Sequence, residues 1–233
     1  MLARDSGTTI AYWLSGENIP ITASQGTFGA VALTPKNLGA LTVLSHQLVR
    51  QVDAVAEQVV MFELAAAMAA AFDRAALNGS GASGEPLGVL NMTGIGSVSG
   101  TNLGHAGLVE FQGDLIDAEV EAGANSSGYL TTATVAKLLK GRYIGAGAVP
   151  LWSGNLWDGE IEGLSAAATK QMPAATMLFG DFSQVVIGEW GQLTLDLNPY
   201  ENFAVGKISV RAWYTADIAV RHPAAFSVAK TIT

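Results

Sequence analysis

The residues of this chain most able to do chemistry form a cluster of acids on a segment with helical apolar spacing, residues 108–121. These acids are Glu110, Asp114, Asp117, Glu119 and Glu121. Paired carboxylates can bind a divalent cation or supply the acid and base of a glycosidase. A hydrolase that uses the acids from Glu110 to Glu121 with His105 is therefore one hypothesis. A solvated helix face is the simpler interpretation of the same pattern.

Other catalytic or metal-binding side chains are scarce. The chain has no cysteine, so neither a disulfide nor a thiolate metal site can form. The histidines His46, His105 and His222 are far apart in sequence and match no H-x-x-x-H or HExxH spacing. The sequence therefore predicts no catalytic residue, no cofactor-binding residue and no metal ligand.

The glycine-rich segment NGSGASGEPLG, residues 78–88, is the one candidate phosphate loop. It follows a predicted helix rather than a strand, and it matches neither the G-x-x-x-x-G-K-[ST] nor the GxGxxG pattern. No Lys or Arg lies between Arg74 and Lys137. The segment is better explained as a surface turn.

One long helix, residues 53–78, must position everything around it. Its residues are strong helix formers without Gly or Pro, and at 1.5 Å per residue it would be about 39 Å long. Asp53 is a candidate N-cap, and Asn78 followed by Gly79 is a candidate stop. Two apolar stripes follow the helix: Val55, Val59, Phe62 and Ala66 form one, and Leu64, Met68 and Phe72 form the other. Phe62 is predicted to be a core residue of this helix, so Phe62→Asp should abolish folding.

Strands are predicted on both sides of this helix. Residues 8–14 and 28–33 read as a two-stranded arm with a polar tip, and residues 38–44 form an apolar run before a short helix capped by Ser45. Residues 87–91 and 95–100 resemble short strands, and Thr132 can cap a helix closed by Gly141.

From residue 176 onward the pattern is mostly strand, with turns expected at residues 190–191 and 198–199. Residues 207–220 alternate between two faces, Ile208, Val210, Ala212 and Tyr214 on one and Ser209, Arg211, Trp213 and Thr215 on the other. Such alternation indicates a half-buried strand.

Composition limits the classes of function. Of the 233 residues, 49% are hydrophobic and 14% are charged, against about 25% charged in typical proteins. Surface so poor in charge is normally covered by partner subunits. The net charge of −8 argues against general nucleic-acid binding. The apolar run 59–72 contains Glu63 and is too short for a membrane span, and the N-terminus has no signal-peptide core. Synthesis in the cytoplasm is expected.

Several segments in the same order resemble the major capsid proteins of tailed bacteriophages, the Hong Kong 97 family. The segments that carry the resemblance are TPKNLGALTVLSHQL, DRAALNGSGASGEPLGVLN, LLKGRYIGAG, LFGDFSQVVI and RHPAAFSVAK. The resemblance implies an α+β fold of the Hong Kong 97 type. That fold has a long spine helix, a peripheral β-sheet domain, an extended β-hairpin loop and an axial α/β domain.

The resemblance also implies a division of the chain. Residues 1–10 would be a residual N-terminal arm and 11–27 the extended loop. Residues 28–101 with 181–222 would form the peripheral domain around the spine helix, and 102–180 with 223–233 the axial domain. The hairpin near residues 198–203 would approach local three-fold contacts. Because the chain begins almost at the extended loop, a matured, truncated or partial form is expected.

Some members of the family join a loop lysine to an asparagine, with a glutamate as base. No lysine precedes Lys36 here, and the other two positions fall near Gly206 and Trp213. No covalent cross-link is therefore predicted.

The leading hypothesis is a non-catalytic major capsid protein that self-assembles through pentamers and hexamers into an icosahedral shell around phage DNA, without sequence-specific binding. Portal, scaffold or decoration proteins would be further partners, and no membrane is involved. The shell would belong to the virion and assemble in the bacterial host cytoplasm. An encapsulin-like nanocompartment shell is the alternative, and the hydrolase with the acidic segment 108–121 is the third hypothesis.

Overall fold

The computed structural model describes residues 2–5, 11, 13–14, 16, 20, 23–24, 28–45, 47, 54–118, 126–145, 147 and 149–233. Helix α1 spans Ala54–Asn78, α2 spans His105–Asp117 and α3 spans Ala133–Lys140. The strands are β1 Leu2–Asp5, β2 Phe28–Val31, β3 Lys36–Ser45, β4 Gly96–Ser99, β5 Ser127–Thr131, β6 Ser153–Gly154, β7 Gly159–Ile161, β8 Leu164–Ala168, β9 Met177–Asp181, β10 Val185–Glu189, β11 Thr194–Asn202, β12 Lys207–Val220 and β13 Phe226–Lys230.

These strands form three sheets. A seven-stranded sheet has the order β4-β13-β9-β5-β8-β7-β6. In a four-stranded sheet, β12 pairs with β3 along one edge and with β10 and β11 along the other. Strands β1 and β2 form a separate antiparallel ribbon. The mixed helix and sheet composition agrees with the predicted α+β class.

Helix α1 buries only one of its two apolar stripes. Leu64 and Met68 are buried against Val210 and Ala212 of β12. Phe62 is 75% exposed, so its predicted place in the core is wrong and the stated reason for Phe62→Asp to abolish folding is removed. Both stripes are apolar enough to be core, and the position of the four-stranded sheet decides between them. The helix ends at Asn78 as predicted, whereas residue 53 lies outside the described part.

The seven-stranded sheet carries helices α2 and α3 on one face. Alternate residues of β9 point to opposite sides, as strand geometry requires: Met177 and Phe179 enter the core under the helices, whereas Leu178 enters a second core. The first core includes the fully buried Trp152 and Tyr129. Thr132 caps α3 by accepting a hydrogen bond from the Val135 N–H (3.4 Å), as its sequence position predicts.

The second core joins the two large sheets. It packs Leu178 and Phe226 of the seven-stranded sheet against Val220 at the end of β12, together with Val89 and Leu90. The last two residues lie in a 3₁₀ helix, Val89–Asn91, where a short strand was predicted. The seven-stranded and four-stranded sheets are therefore joined by a shared cluster of buried side chains.

A buried carboxylate fixes the start of β3. Asp217 accepts hydrogen bonds from the Thr34 N–H (2.8 Å) and the Thr34 hydroxyl (3.3 Å), and the Lys36 ammonium lies 3.5 Å away. Lys36 also donates to the Glu85 carbonyl (3.1 Å). These contacts tie the base of the N-terminal ribbon to the four-stranded sheet and to the turn after α1.

Two other predictions differ from the structure. Strand β2 begins at Phe28 as expected, but its partner is Leu2–Asp5 rather than residues 8–14, of which Ala11, Trp13 and Leu14 are described and lie in no strand. The turn expected at residues 198–199 lies later, at the 3₁₀ helix Phe203–Val205 and Gly206, because β11 continues through Pro199 with a bulge. The predicted short helix after Ser45 and most of the extended loop lie outside the described residues.

Candidate functional site

In the described part of the acidic segment, residues 108–118, Asp114 is held by a partner other than His105. Asp114 accepts a short hydrogen bond (2.5 Å) from the Ser227 hydroxyl, which attaches α2 to β13. His105 instead pairs with Glu162, with 3.2 Å between Nε2 and Oε1. Glu110 and Asp117 are exposed, and residues 119 and 121 lie outside the described part. Of the residues that the hydrolase hypothesis combines, Asp114 and His105 therefore have different partners and structural roles.

The described part of the chain contains neither a candidate metal site nor a candidate membrane-spanning helix. Among the described residues, no three His, Asp or Glu side chains are grouped so that they could hold a metal ion. No helix in the same part of the chain is long and apolar enough to span a bilayer. His222 precedes the 3₁₀ helix Pro223–Ala225, and His46 lies outside the described residues.

The glycine-rich segment is held by hydrogen bonds to its own acidic residue, Glu85. The backbone N–H and the hydroxyl of Ser80 both donate to Glu85 Oε2, at 3.0 and 2.7 Å. These two hydrogen bonds, the backbone one first, lower the pKa of Glu85 below its ordinary value. A carboxylate held ionised within the loop would repel a phosphate. The geometry thus agrees with the predicted surface turn.

A cavity of about 340 Å³ lies between α1, the start of β3 and this turn. Its wall contains Phe72 and Tyr214, whose rings meet edge to face with centroids 5.6 Å apart. The Tyr214 hydroxyl donates to Glu189 (2.7 Å); burial, with Glu189 second, raises the pKa of Tyr214 to about 12. Tyr214 therefore stays protonated at neutral pH, and the aromatic pair is a neutral part of a wall that also contains the charged residues Lys36, Arg74 and Glu85.

The most extensive unusual feature is exposed apolar surface. On the face of the four-stranded sheet opposite α1, Leu41, Val43 and Trp213 are 62%, 45% and 41% exposed. Tyr200 near the β11–β12 turn and Trp157 between β6 and β7 are also exposed. None of these residues belongs to a motif that predicts function. A signal was nevertheless present in residues 38–44, where apolar residues occupy both faces of the strand, Leu38, Ala40 and Leu44 on one and Leu41 and Val43 on the other, a pattern typical of strands covered on both faces.

Comparison with known proteins gives consistent matches. A model of the phage capsid family matches residues 2–231. The sequence is 31% identical over 221 residues to the major capsid protein of Halomonas phage phiHAP-1, a match that covers 94% of this chain and 36% of that protein. The chain thus spans about a third of the length of the curated relative that it matches.

Solved structures show the same fold. The capsid chain of a native GTA particle superposes with a TM-score of 0.79 at 18% identity, covering 100% of this chain and 84% of that one. A chain from Microbacterium phage Oxtober96 gives a TM-score of 0.75 at 13% identity, with coverages of 98% and 84%. The fold described above is therefore shared along nearly the whole chain.

Proposed function

This chain belongs to the phage capsid family, and we propose on that premise that it forms the shell of a phage head as a major capsid protein. The observation that supports this most is the exposed apolar surface on a chain whose fold matches capsid chains from end to end. Isolated soluble proteins rarely leave large contiguous apolar patches uncovered, whereas subunits of an assembly cover them with their neighbours.

Within this proposal, the two larger sheets correspond to the two domains of a capsid subunit. The four-stranded sheet with α1 serves as the peripheral domain with its spine, residues 28–101 and 181–222. The seven-stranded sheet with α2 and α3 serves as the axial domain, residues 102–180 and 223–233, although its edge strand β4 and the last residue of β9, Asp181, fall within the peripheral ranges. Residues 11–27 serve as the extended loop. Copies would form pentamers and hexamers, and portal, scaffold or decoration proteins would be further partners.

The proposed role is structural and without catalysis or covalent cross-linking. Asp114 and His105 are engaged in separate contacts that hold α2 to β13 and to the β7–β8 turn. The net charge of −8 would keep enclosed DNA from adhering to the shell. The shell would form in the host cytoplasm and remain part of the virion. The family match favours this function over an encapsulin-like compartment.

Electron microscopy of the purified chain, with sedimentation over a wide range of concentrations, tests the proposal. We expect rings or closed shells of repeated subunits, and nuclease-protected DNA in particles recovered from infected cells. A chain that stays monomeric at high concentration would contradict the proposal. Particles that hold a protein cargo instead of DNA would favour the encapsulin-like alternative.

A further inference from the structure

The cavity between α1, the start of β3 and the glycine-rich turn has no part in the proposed capsid role. We propose that it binds a small aromatic carboxylate, with the ring against Phe72 and Tyr214 and the carboxylate on Arg74. The inference goes beyond the proposed function and does not depend on it, because all the lining residues belong to one copy of the chain.

The cavity has the size and shape of a small-molecule site. Its volume of about 340 Å³ lies within the range of about 300–1,000 Å³ that is usual for ligand pockets. One wall is set by strand register, because Leu38 of β3 lies directly opposite Tyr214 of β12 and opposite residues share a face of the sheet. On α1, the small side chains of Ala71 and Ala75 line the cavity beside Phe72 and leave its space open.

The aromatic pair in the wall favours a flat apolar ring. The rings of Phe72 and Tyr214 meet at 83°, with centroids 5.6 Å apart. Aromatic rings attract one another in offset or edge-to-face arrangements, and a ligand ring that enters the cavity can contact both residues. Both are uncharged at neutral pH, since the Tyr214 hydroxyl stays protonated.

Arg74 supplies the positive charge for an anionic group. It lines the cavity and is exposed, and within the described residues its side chain contacts Gln171 at a long 3.4 Å. A guanidinium carries five N–H donors in a planar fork, so Arg74 can donate two parallel hydrogen bonds to a carboxylate. Lys36, by contrast, is already held by Asp217 at 3.5 Å and by the Glu85 carbonyl at 3.1 Å.

Glu85 limits the ligand to a single negative charge. Its carboxylate is ionised at neutral pH, because hydrogen bonds from Ser80 lower its pKa. Lying in the same wall as Arg74, this charge repels a ligand that carries more than one negative charge. An aromatic monocarboxylate therefore suits the cavity better than an aromatic phosphate, whose charge is about −1.5 to −2 at pH 7.

Calorimetric titration of the purified chain with 2-naphthoate tests the site. A ligand of this size should bind with a Kd of about 1 mM or tighter, and 2-naphthyl phosphate should bind at least about tenfold more weakly. Ala71→Phe should abolish binding of 2-naphthoate by filling the cavity. Ala69→Phe is the matched control, because Ala69 is exposed on the same helix and lies outside the cavity lining. Urea midpoints check that both variants fold.

Two charge variants test the roles of the ionic groups. Arg74→Gln should weaken binding of 2-naphthoate at least about tenfold. Arg221→Gln, which removes the same charge outside the cavity lining, should change the Kd by less than about twofold. Glu85→Gln should remove the preference for 2-naphthoate over 2-naphthyl phosphate, since a glutamine carbonyl can still accept hydrogen bonds from Ser80.

The inference is overturned if wild type fails to bind 2-naphthoate at several times about 1 mM, or if a folded Ala71→Phe chain binds it as wild type does. Equal losses for Arg74→Gln and Arg221→Gln, or an unchanged preference in Glu85→Gln, would also overturn it. Micrographs of the wild-type chain are a separate measurement. Shells without ligand binding sink the inference alone, and ligand binding by a chain that stays monomeric sinks the proposed function alone.

Discussion

At the scale of single residues, Asp181 shows how a buried charge is retained. This carboxylate at the end of β9 accepts hydrogen bonds from the Ser183 N–H (3.0 Å), the Ser183 hydroxyl (2.8 Å) and the Gln184 amide (3.2 Å). Burial by itself would raise the pKa of Asp181, but the hydrogen bonds together outweigh it and hold the pKa below its ordinary value of 3.8. The ionised form is therefore favoured by folding.

Replacing this carboxylate should change how stability depends on pH. Asp181→Asn should reduce the free energy of unfolding at pH 7 by about 1–2 kcal/mol, because hydrogen bonds to a charged acceptor are lost. A carboxylate whose pKa is lowered by folding stabilises the protein fully at pH values above its unfolded pKa, and this stabilisation is lost as the pH falls through its folded pKa. The difference in free energy of unfolding between wild type and Asp181→Asn should therefore become smaller below about pH 4. Urea unfolding at pH 7 and pH 3 measures this difference.

The exposed acid Asp117 provides the control. Asp117→Asn should leave the free energy of unfolding within about 0.5 kcal/mol of wild type at both pH values. An equal loss for Asp181→Asn at pH 7 and pH 3 would mean that the ionised carboxylate does not stabilise the fold.

At the scale of elements, helix α1 carries two apolar stripes, of which one lies in the core and the other at the surface. Leu64 and Met68 fill the small core beneath β12, whereas Val59 and Phe62 are exposed. A helix with only one buried stripe against a sheet depends on few side chains. The truncation of any one of these buried side chains should lower the free energy of unfolding by several kcal/mol.

Two alanine variants test this assignment. Leu64→Ala should lower the free energy of unfolding by about 2–5 kcal/mol, because it removes buried methyl groups and leaves a cavity. Phe62→Ala should change it by less than about 0.5 kcal/mol, although phenylalanine is the larger residue. Denaturant unfolding of both variants measures these changes. A larger loss of free energy of unfolding for Phe62→Ala than for Leu64→Ala would mean that Phe62 lies on the core face of α1.

At the scale of the whole molecule, the second core determines how the parts unfold. Leu178, Phe226 and Val220 bring the seven-stranded and four-stranded sheets into one packed unit. Strand β12 also leads into β13 through the 3₁₀ helix Pro223–Ala225. Neither sheet can separate without exposing residues that both of them bury.

We therefore expect the two sheets to open together. Amide hydrogen exchange should give β5 and β9 the same opening free energy as the centre of β12, because core elements of one cooperative unit exchange by global unfolding. Phe226→Ala should lower both values equally, by about 3–5 kcal/mol. If only the seven-stranded sheet loses protection, the second core does not couple the sheets.

Local sequence signals were sufficient for elements that local chemistry determines. The strong helix formers and the Asn78-Gly79 stop predict α1. The Thr132 cap and Gly141 mark the two ends of α3. The alternation in residues 210–213 predicts the two faces of β12. The shared order of short motifs also gave the family, which the match over residues 2–231 confirms.

Only the tertiary structure decided what depends on distant neighbours. Both stripes of α1 are apolar, so the sequence does not show which of them is buried. The packing of β12 against α1 buries Leu64 and leaves Phe62 exposed. The partner of β2 depends on a pairing between residues far apart in sequence, and the acidic segment gave no sign that Asp114 would bind Ser227. Burial and strand register are non-local, because they depend on which surfaces the folded chain brings together. For the same reason, the exposed apolar surface of Leu41, Val43 and Trp213 was recognised only once the faces of β3 and β12 were assigned.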